Sequence, residues 1–447
     1  MKLGIDVSTY LEELASGAKY YDHGIQIDPL DCFYKNGVKS MRIRLWNNPY
    51  SSDGKPYLGG TCDLANFIKL AHLAISKGYS IYLDFHYSDF WADPGKQTKP
   101  KAWNDLDFNS LVNKVYQYTF DTLQVIKNEN IDLEMIQVGN EITNGILWPD
   151  GRLIEASGER LNYESLAKLL KAGLTACKEV YPNALRMLHL ERSYDLKIYD
   201  EFFSNMLKND VDFEVIGASY YPYWHGTMDE LIANLTYQRN KYHKMIMIAE
   251  LGYAFTLEDY ILNNNGQIGL VVNKNNLKSF SFVKKYPFTK DGQAKFINDF
   301  LDKCLKNGID AIYYWEPLWI PGNNICWASE EALEYIGEVG KPTRNEWSNQ
   351  CMFDYNGNMN PSFKTYKIWR FQITGGRWKI PFQITGGQNG YKDLGVENKG
   401  PFPIWKWAFC QPIIFLFVIA FYWSAFINYK DTPISISVKV LIAISCF

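Results

Sequence analysis

Two glutamates of this 447-residue sequence have the surroundings expected of a pair of catalytic carboxylates. Glu141 follows the apolar run Met135 to Val138 and stands directly behind Asn140, while Glu250 ends the apolar run that starts at Met245. A single glutamate just beyond a strand is more often a surface residue or the start of a helix. Two carboxylates that flank one bond, however, are the minimal equipment for hydrolysis of a glycosidic bond. Glycan cleavage is therefore the hypothesis, provided that the fold brings both carboxylates to one place.

The elements that would position them alternate regularly along the chain. Amphipathic stretches of helical period separate eight short apolar runs, as in parallel strands joined by crossover helices. Two of these stretches, Leu64 to Gly78 and Gly292 to Gly308, end at a glycine. Eight such units predict an α/β fold, a (β/α)8 TIM barrel, because an open doubly wound sheet would have about six strands. The apolar runs begin at Lys2, Ser40, Tyr79, Glu134, Arg186, Glu214, Met245 and Asp310.

Polar and aromatic residues follow these strands. In a (β/α)8 barrel the carboxyl ends of the strands form the active-site mouth, whereas the opposite ends serve stability. The combination of carboxylates, amides, guanidinium groups and aromatic rings suits a site that binds and cuts a sugar chain. The residues expected there are Asp6, Arg44, Trp46, Asn47, Asp84, His86, Asn140, Glu141, Glu191, Arg192, Tyr220, Tyr221, Glu250, Trp315 and Glu316.

Some of these residues have a specific expected role. Asn140 would reach a sugar hydroxyl beside the bond to be cut. Arg44 would lie beside Glu250 and keep it ionised, since an adjacent cation lowers the pKa of a carboxylate. The hydroxyl of Tyr220 or of Tyr221 would orient the nucleophile.

Plainer roles are also open for several members of the set. Arg44 could pair with a structural acid at the barrel rim, and His86 could be a satisfied polar residue at a strand end. Glu316 is expected to point outward. Asp84 and Glu191 are expected to orient other groups rather than to react.

Composition excludes some other functions. The 46 Lys and Arg against 49 Asp and Glu give a net charge of -3, which offers no general attraction to nucleic acid or to an anionic membrane. No glycine-rich phosphate-binding motif follows a strand. The eight Cys form no CxxC pair, which argues against zinc; Cys326 and Cys351 could form a disulfide, although scattered cysteines in a large domain are more often free.

Seven segments together resemble glycoside hydrolase family 53, the endo-β-1,4-galactanases. They occur in family order at spacings that fit a barrel, and the resemblance covers Lys2 to about Tyr366. The segments are GIDVS near the start, RIRLWNNP at Arg42, LDFHYSDFWADPGKQ at Leu83, QVGNEITNGILWP at Gln137, GASYYPYWHG at Gly217, IAELGYAF at Ile248 and YYWEPLWIP at Tyr313.

The resemblance implies a retaining mechanism with Glu141 as acid/base and Glu250 as nucleophile. It also implies a substrate of β-1,4-linked galactan, as in the type I arabinogalactan side chains of pectin. Alternatives are a related barrel endo-glycosidase acting on another β-linked glycan, or a glycan-binding barrel without catalysis. Together with the residue analysis, the expected substrate-binding set is Asn140, Arg44, Asp84, His86, Trp91, Tyr220, Tyr221 and Trp315.

The family resemblance also bears on cofactors and location. The chemistry would need no cofactor. Some bacterial members hold a structural calcium in long loops after strands seven and eight, but the stretches at Asn263 and Asn273 have no clear Asp-rich ligand set, so calcium stays unassigned. No secretory signal peptide is visible at the amino terminus, whereas the family implies a secreted or cell-surface protein. We expect a monomer and a polysaccharide substrate.

The sequence changes character near its carboxyl end. Residues 1–366 are the predicted catalytic barrel, and residues 367–447 are a tail in which FQITGG occurs twice, at Phe371 and Phe382. Residues 407–427 carry no charged side chain and could reach the length of a membrane-spanning helix. A membrane anchor, a small extra domain and a tail without selected structure are the three alternatives, and the last is favoured because the barrel's amphipathic patterning is missing.

Overall fold

The structure, a computed structural model, describes residues 1–153, 160–261, 269–273 and 281–364. Within these ranges eight parallel strands close into one barrel. The strands are β1 (Lys2–Asp6), β2 (Ser40–Leu45), β3 (Ser80–Phe85), β4 (Leu133–Val138), β5 (Leu185–Leu190), β6 (Val215–Tyr220), β7 (Met245–Leu251) and β8 (Ala311–Trp315). Strand β1 pairs with both β2 and β8, so the sheet has no free edge. The predicted (β/α)8 barrel is confirmed, and each predicted apolar run overlaps one strand.

Helices surround the barrel. Those of the described ranges are α1 (Tyr10–Ala15), α2 (Pro29–Lys35), α3 (Leu64–Ser76), α4 (Phe108–Asn128), α5 (Tyr163–Val180), α6 (Leu196–Lys208), α7 (Met228–Tyr242), α8 (Lys290–Lys306) and α9 (Glu330–Tyr335). Side-chain caps fix where several of them begin. Asp63 accepts a hydrogen bond from the third amide of α3, and Thr289 does the same for α8, which satisfies amides that have no partner inside a helix.

The barrel interior changes character along its axis. Toward the amino ends of the strands it is filled by apolar and aromatic side chains that pack against one another. Gly4 leaves the space for one of them, because a Cβ at this position would lie 2.2 Å from a ring atom of Tyr313. Toward the carboxyl ends the inward positions carry charged residues instead, and these build the site described below. The apolar cluster consists of Tyr82, Met135, Met187, Val215, Met247, Ala249, Ala311 and Tyr313.

Two other expectations concern cysteines and the tail. Cys326 and Cys351 are both free thiols, so the disulfide considered for them is not formed. Over the part of the chain that the structure describes, no helix combines the length and the apolar character needed to cross a membrane. The tail at 367–447, with its uncharged run at 407–427, lies outside the described residues.

Candidate active site

A cavity of about 700 Å³ opens at the carboxyl ends of the strands. Both glutamates line it, as do six of the eight residues expected to bind substrate. Tyr220 and Asp84 are not among the lining residues. The expected residues that do line it are Arg44, His86, Trp91, Asn140, Glu141, Tyr221, Glu250 and Trp315.

The two glutamates face each other across this cavity. A carboxylate oxygen of Glu141 lies within 4.8 Å of one of Glu250. Carboxyl groups about 5–5.5 Å apart are typical of retaining glycosidases, while inverting enzymes need roughly 6.5–9.5 Å to hold a water between them. The spacing therefore suits direct attack by one carboxylate.

Glu141 is held by an unusual backbone conformation and by one hydroxyl. It follows β4 with φ of 49°, a left-handed conformation that non-glycine residues rarely adopt away from functional sites. The Ser219 hydroxyl donates to its Oε1 over 2.6 Å. Burial, followed by the negative charges of Glu250 and Glu191, raises the pKa of Glu141 well above its usual range. A carboxyl group in this environment keeps its proton and can donate it.

Glu250 has stronger charge partners. The Arg42 guanidinium lies 3.0 Å from its Oε1, and the Tyr221 hydroxyl donates to its Oε2 over 2.7 Å. Burial raises the pKa of Glu250, and Arg42 and Tyr221 act in the opposite direction. Of the two carboxyl groups, Glu250 is thus the better placed to carry the negative charge.

The prediction that Arg44 lies beside Glu250 was therefore wrong. Arg44 lies 2.7 Å from Oε1 of Glu316 and 3.2 Å from Oδ1 of Asp6. Arg42 and Arg44 are two positions apart on β2, so their side chains share one face of the strand, which is the face toward the barrel interior. The deeper one, Arg42, extends under the cavity to Glu250, while Arg44 turns toward the end of β8.

Glu316 corrects a second expectation, because it is fully buried instead of pointing outward. Its φ of 50° turns the chain after β8, and its carboxylate accepts hydrogen bonds from the amide and the hydroxyl of Thr9. Together with Arg44 these donors compensate the carboxylate. Burial nevertheless raises the pKa of Glu316 to about 8.

The two tyrosines at the end of β6 point to opposite faces of the barrel wall. Tyr221 faces the cavity and contacts Glu250, as expected of one of the pair. Tyr220 faces outward, where its ring stacks on Phe300 with centroids 5.1 Å apart and its hydroxyl donates to the carbonyl of Gly226. Successive residues of a strand point to opposite faces, so Tyr220 is wrong as a substrate-binding residue.

Asp84 and His86 support the site from below. Asp84 has no exposed surface and accepts hydrogen bonds from Arg42 over 2.8 Å and from Nε2 of His86 over 3.0 Å. Nδ1 of His86 accepts from the amide of Ala92, so the proton is on Nε2. Asp84 as a direct substrate contact is wrong, whereas the orienting role considered for it matches these contacts. His86 lines the cavity with both ring nitrogens already bonded.

Asn140 lines the cavity and is tied to a network that sequence reasoning missed. Its Oδ1 accepts from Arg42 over 2.8 Å and lies 3.0 Å from Nδ1 of His189. Nε2 of His189 lies 2.9 Å from the Ser219 hydroxyl, which reaches Glu141. Burial lowers the pKa of His189 well below its usual value, so this ring is neutral. Sequence reasoning missed Arg42, His189 and Ser219. The period-2 alternation along β2, β5 and β6 was the available signal, since it places these three side chains inside the barrel.

Aromatic rings form much of the cavity wall. Trp315 packs edge-on against Trp347, with the ring centroids 4.8 Å apart. The guanidinium carbon of Arg44 lies 4.4 Å from the ring centroid of Trp91. Flat, partly exposed rings of this kind stack on the apolar faces of sugars. The tryptophans of the lining are Trp91, Trp224, Trp315, Trp319, Trp327 and Trp347.

Metal binding has limited support in the described parts of the chain. Glu141, His189 and Glu250 have ligand atoms within 4.8 Å of one another, but both nitrogens of His189 already face Asn140 and Ser219. We therefore assign this trio to hydrogen bonding and proton transfer. The calcium expectation falls largely on residues outside the described ranges; Asn273 is described, and its amide donates to the carbonyl of Leu270.

Comparisons with known proteins place these observations in context. The sequence matches the family model described as Glycosyl hydrolase family 53 over residues 2–366. It is 33% identical to an endo-beta-1,4-galactanase of Bacillus subtilis (strain 168), covering 81% of this chain and 85% of that protein. It is 31% identical to arabinogalactan endo-beta-1,4-galactanase A of Aspergillus niger, covering 71% and 85%.

Two solved structures are similar to this chain in fold and in sequence. The GH53 catalytic domain of Ignisphaera aggregans superimposes with a TM-score of 0.72 at 37% identity, covering 82% of this chain and 95% of that domain. A structure from a study of two fungal beta-1,4-galactanases gives a TM-score of 0.65 at 27% identity, covering 82% and 99%.

Replacement of Arg42 should reveal how much the site depends on this one cation. Arg42→Met leaves Asp6, Asp84 and Glu250 without their shared buried partner. We expect the free energy of unfolding to fall by about 3–5 kcal/mol, since an unpaired buried charge is strongly destabilising. Urea unfolding followed by circular dichroism measures it.

The matched control is Lys178→Met. Lys178 is exposed and pairs with the equally exposed Asp212, so its loss should change the free energy of unfolding by less than about 1 kcal/mol. Equal effects of the two substitutions would contradict the importance assigned to Arg42.

Proposed function

The chain belongs to glycosyl hydrolase family 53, and from this we propose that it is a retaining endo-β-1,4-galactanase with Glu250 as nucleophile and Glu141 as acid/base. It is a glycoside hydrolase, and its substrate is the β-1,4-galactan named for its relatives, as in type I arabinogalactan. The observation that carries the mechanism is the pair of buried carboxylates within 4.8 Å of each other at the barrel mouth.

The first step forms a covalent intermediate. Glu250 attacks the anomeric carbon while Glu141 gives its proton to the glycosidic oxygen, so that the bond to the leaving sugar chain breaks as the bond to Glu250 forms. Arg42 and Tyr221 hold the Glu250 carboxylate ionised and oriented. Their contacts involve one oxygen each, which fixes the plane of the nucleophile.

The second step reverses the role of Glu141. Once Glu250 carries the sugar it has no negative charge, and one cause of the raised pKa of Glu141 is removed. Glu141, now ionised, takes a proton from water, and the resulting hydroxide adds to the anomeric carbon while the bond to Glu250 breaks. Two inversions give overall retention of configuration.

The cavity wall and Asn140 suit the binding of a galactan chain. The tryptophan-lined cavity offers stacking surfaces for successive sugars, and Asn140 can offer its second amide hydrogen to a hydroxyl beside the scissile bond. The reaction as written uses only side chains and needs no cofactor. A structural calcium stays unassigned. We also propose that the protein acts as a monomer.

Exchange of each glutamate tests the assignment of roles. Glu141→Gln and Glu250→Gln should each lower kcat on galactan by about a thousandfold or more, because each removes a group that reacts in both steps. Unchanged circular dichroism spectra would show that the fold is intact. Glu129→Gln, on an exposed side chain, is the control and should keep full activity.

The products formed with azide distinguish the nucleophile from the acid/base. With an aryl galactobioside, Glu141→Ala plus azide should yield the β-glycosyl azide, since azide replaces water in the second step. Glu250→Ala plus azide should yield the α-azide through a single inversion. Exchange of these two products between the variants would reverse the assigned roles.

A panel of polysaccharides separates the galactanase from a related enzyme acting on another β-linked glycan. We expect rapid mid-chain cleavage of β-1,4-galactan, measured as loss of viscosity and release of oligosaccharides, and kcat/KM values lower by about a hundredfold or more on mannan, xylan and cellulose. A higher kcat/KM on one of the latter would overturn the substrate assignment. Binding of galactan without any cleavage would favour the glycan-binding barrel.

Ser219→Ala tests the proton balance of the acid. The Ser219 hydroxyl stabilises the ionised form of Glu141 and so lowers its pKa. Its removal raises that pKa further, and the basic limb of the profile of kcat/KM against pH should move to higher pH. Ser204→Ala, which removes a hydroxyl bonded to the carbonyl of Glu201 within α6, should leave the limb in place. A limb that moved to lower pH in Ser219→Ala would refute this account.

A further inference from the structure

One carboxylate of the cavity has no assigned role. Glu191 follows β5, lines the cavity and is only 4% exposed. In the described chain neither of its oxygens has a hydrogen-bond partner. Nε of Arg192 is 3.6 Å from Oε1, beyond hydrogen-bond distance. The Thr143 hydroxyl faces the carboxylate but also lacks a bond of good geometry.

The contrast with its neighbours is the informative point. Glu141 receives a hydrogen bond from Ser219, and Glu250 is bonded to Arg42 and Tyr221. Buried polar groups are normally satisfied, and one that is not needs an explanation. Both oxygens are covered from solvent, so a turn of the side chain would bring this carboxylate, which has no internal hydrogen bond, to donors that arrive with a polyhydroxylated substrate.

The strand order places Glu191 on one side of the scissile bond. Strand β5 pairs directly with β4, which leads to Glu141, and β6 separates it from β7, which carries Glu250. Glu191 thus lies on the side of the acid/base. The acid/base stands next to the oxygen of the departing sugar, so a sugar that contacts Glu191 belongs to the leaving portion of the chain.

We propose that Glu191 binds hydroxyl groups of the galactosyl unit on the leaving side of the scissile bond, with the half-exposed Arg192 donating to a neighbouring oxygen. This rests on the proposed galactanase function. A carboxylate accepts from hydroxyls and a guanidinium donates to them. The pair therefore matches the adjacent hydroxyls of a sugar, and it would act on where the leaving sugar sits rather than on the reacting carbon.

The alternative is that Glu191 acts only through its charge, which helps to raise the pKa of Glu141. The other charged and titratable groups that face Glu141 are Glu250, Asp93, His189, Tyr199 and Tyr221, while Arg192 and Arg160 act on Glu191 itself. A purely electrostatic role would change alike the reaction of every substrate whose leaving group needs the proton of Glu141. Contact with the leaving sugar would change only substrates that have one.

Two substrates separate these roles. Galactotetraose places a sugar on the leaving side, whereas methyl β-1,4-galactobioside places a methoxy group there, which needs the same proton from Glu141 but has no sugar hydroxyls. For Glu191→Ala we expect kcat/KM on galactotetraose to fall about tenfold or more, since a lost hydroxyl contact costs roughly this factor, and kcat/KM on the methyl substrate to change less than about threefold. Glu191→Gln keeps the shape of the side chain and one acceptor, so its kcat/KM on galactotetraose should lie between those of the wild-type protein and of Glu191→Ala.

Transfer products give an independent readout. The glycosyl-enzyme partitions between water and added galactobiose, which must bind on the leaving side. Glu191→Ala should lower the yield of transfer to galactobiose while leaving transfer to methanol unchanged. Glu129→Ala is the control and should alter neither ratio.

The outcomes divide as follows. A preferential loss on galactotetraose together with reduced transfer to galactobiose supports the proposal. An equal loss on both substrates, a shift of the basic limb of the pH profile without a change in their ratio, or unchanged kinetics overturns it while leaving the galactanase function in place. Failure of the wild-type protein to cut galactan overturns both. If Glu191→Ala does not fold, the substrate ratio of Glu191→Gln decides by the same criteria.

Discussion

The guanidinium of Arg42 is the interaction on which the site depends. It is fully buried and lies within 3.0 Å of carboxylate oxygens from three strand ends, those of Asp6, Asp84 and Glu250. Three carboxylates taken out of water would repel one another without it. Because Arg42 also donates to Asn140, one cation sets the positions of Glu250, the proposed nucleophile, and of the residue before Glu141, the proposed acid/base. The planar, multiply donating shape of arginine is what permits this.

Barrel geometry explains why those partners meet. Strand residues two positions apart share a face, and the carboxyl ends of all eight strands converge on one mouth. The chain then turns abruptly where β4 and β8 end, since Glu141 and Glu316 both have left-handed backbone conformations. Such conformations are costly for side chains with a Cβ, and here they swing each carboxylate from the strand direction toward an interior partner. Rigid strands and strained turns together fix carboxylates to positions that flexible loops would not hold.

Much of this arrangement could be predicted from the sequence, because it follows from periodicity. Alternating apolar runs gave eight strands, and their ends gave Glu141, Glu250 and Tyr221. The choice of Arg44 over Arg42 failed because alternation tells which face a residue occupies but not how far a long side chain reaches along the barrel. Glu316 failed because a backbone φ of 50° cannot be read from a strand pattern.

The polar groups around the cavity differ in how completely the protein itself satisfies them. The groups that must hold a set geometry are already bonded within the protein, as are Glu250, Asn140 and His86. Glu191 and the indole nitrogens of Trp319 and Trp347 line the same cavity without partners among the described residues. For Glu191 we propose that substrate hydroxyls supply the donors that the carboxylate lacks. Preorganised bonds therefore fix Glu250 and Asn140 before substrate arrives, while Glu191 leaves part of the binding energy to depend on the sugar that fills the site.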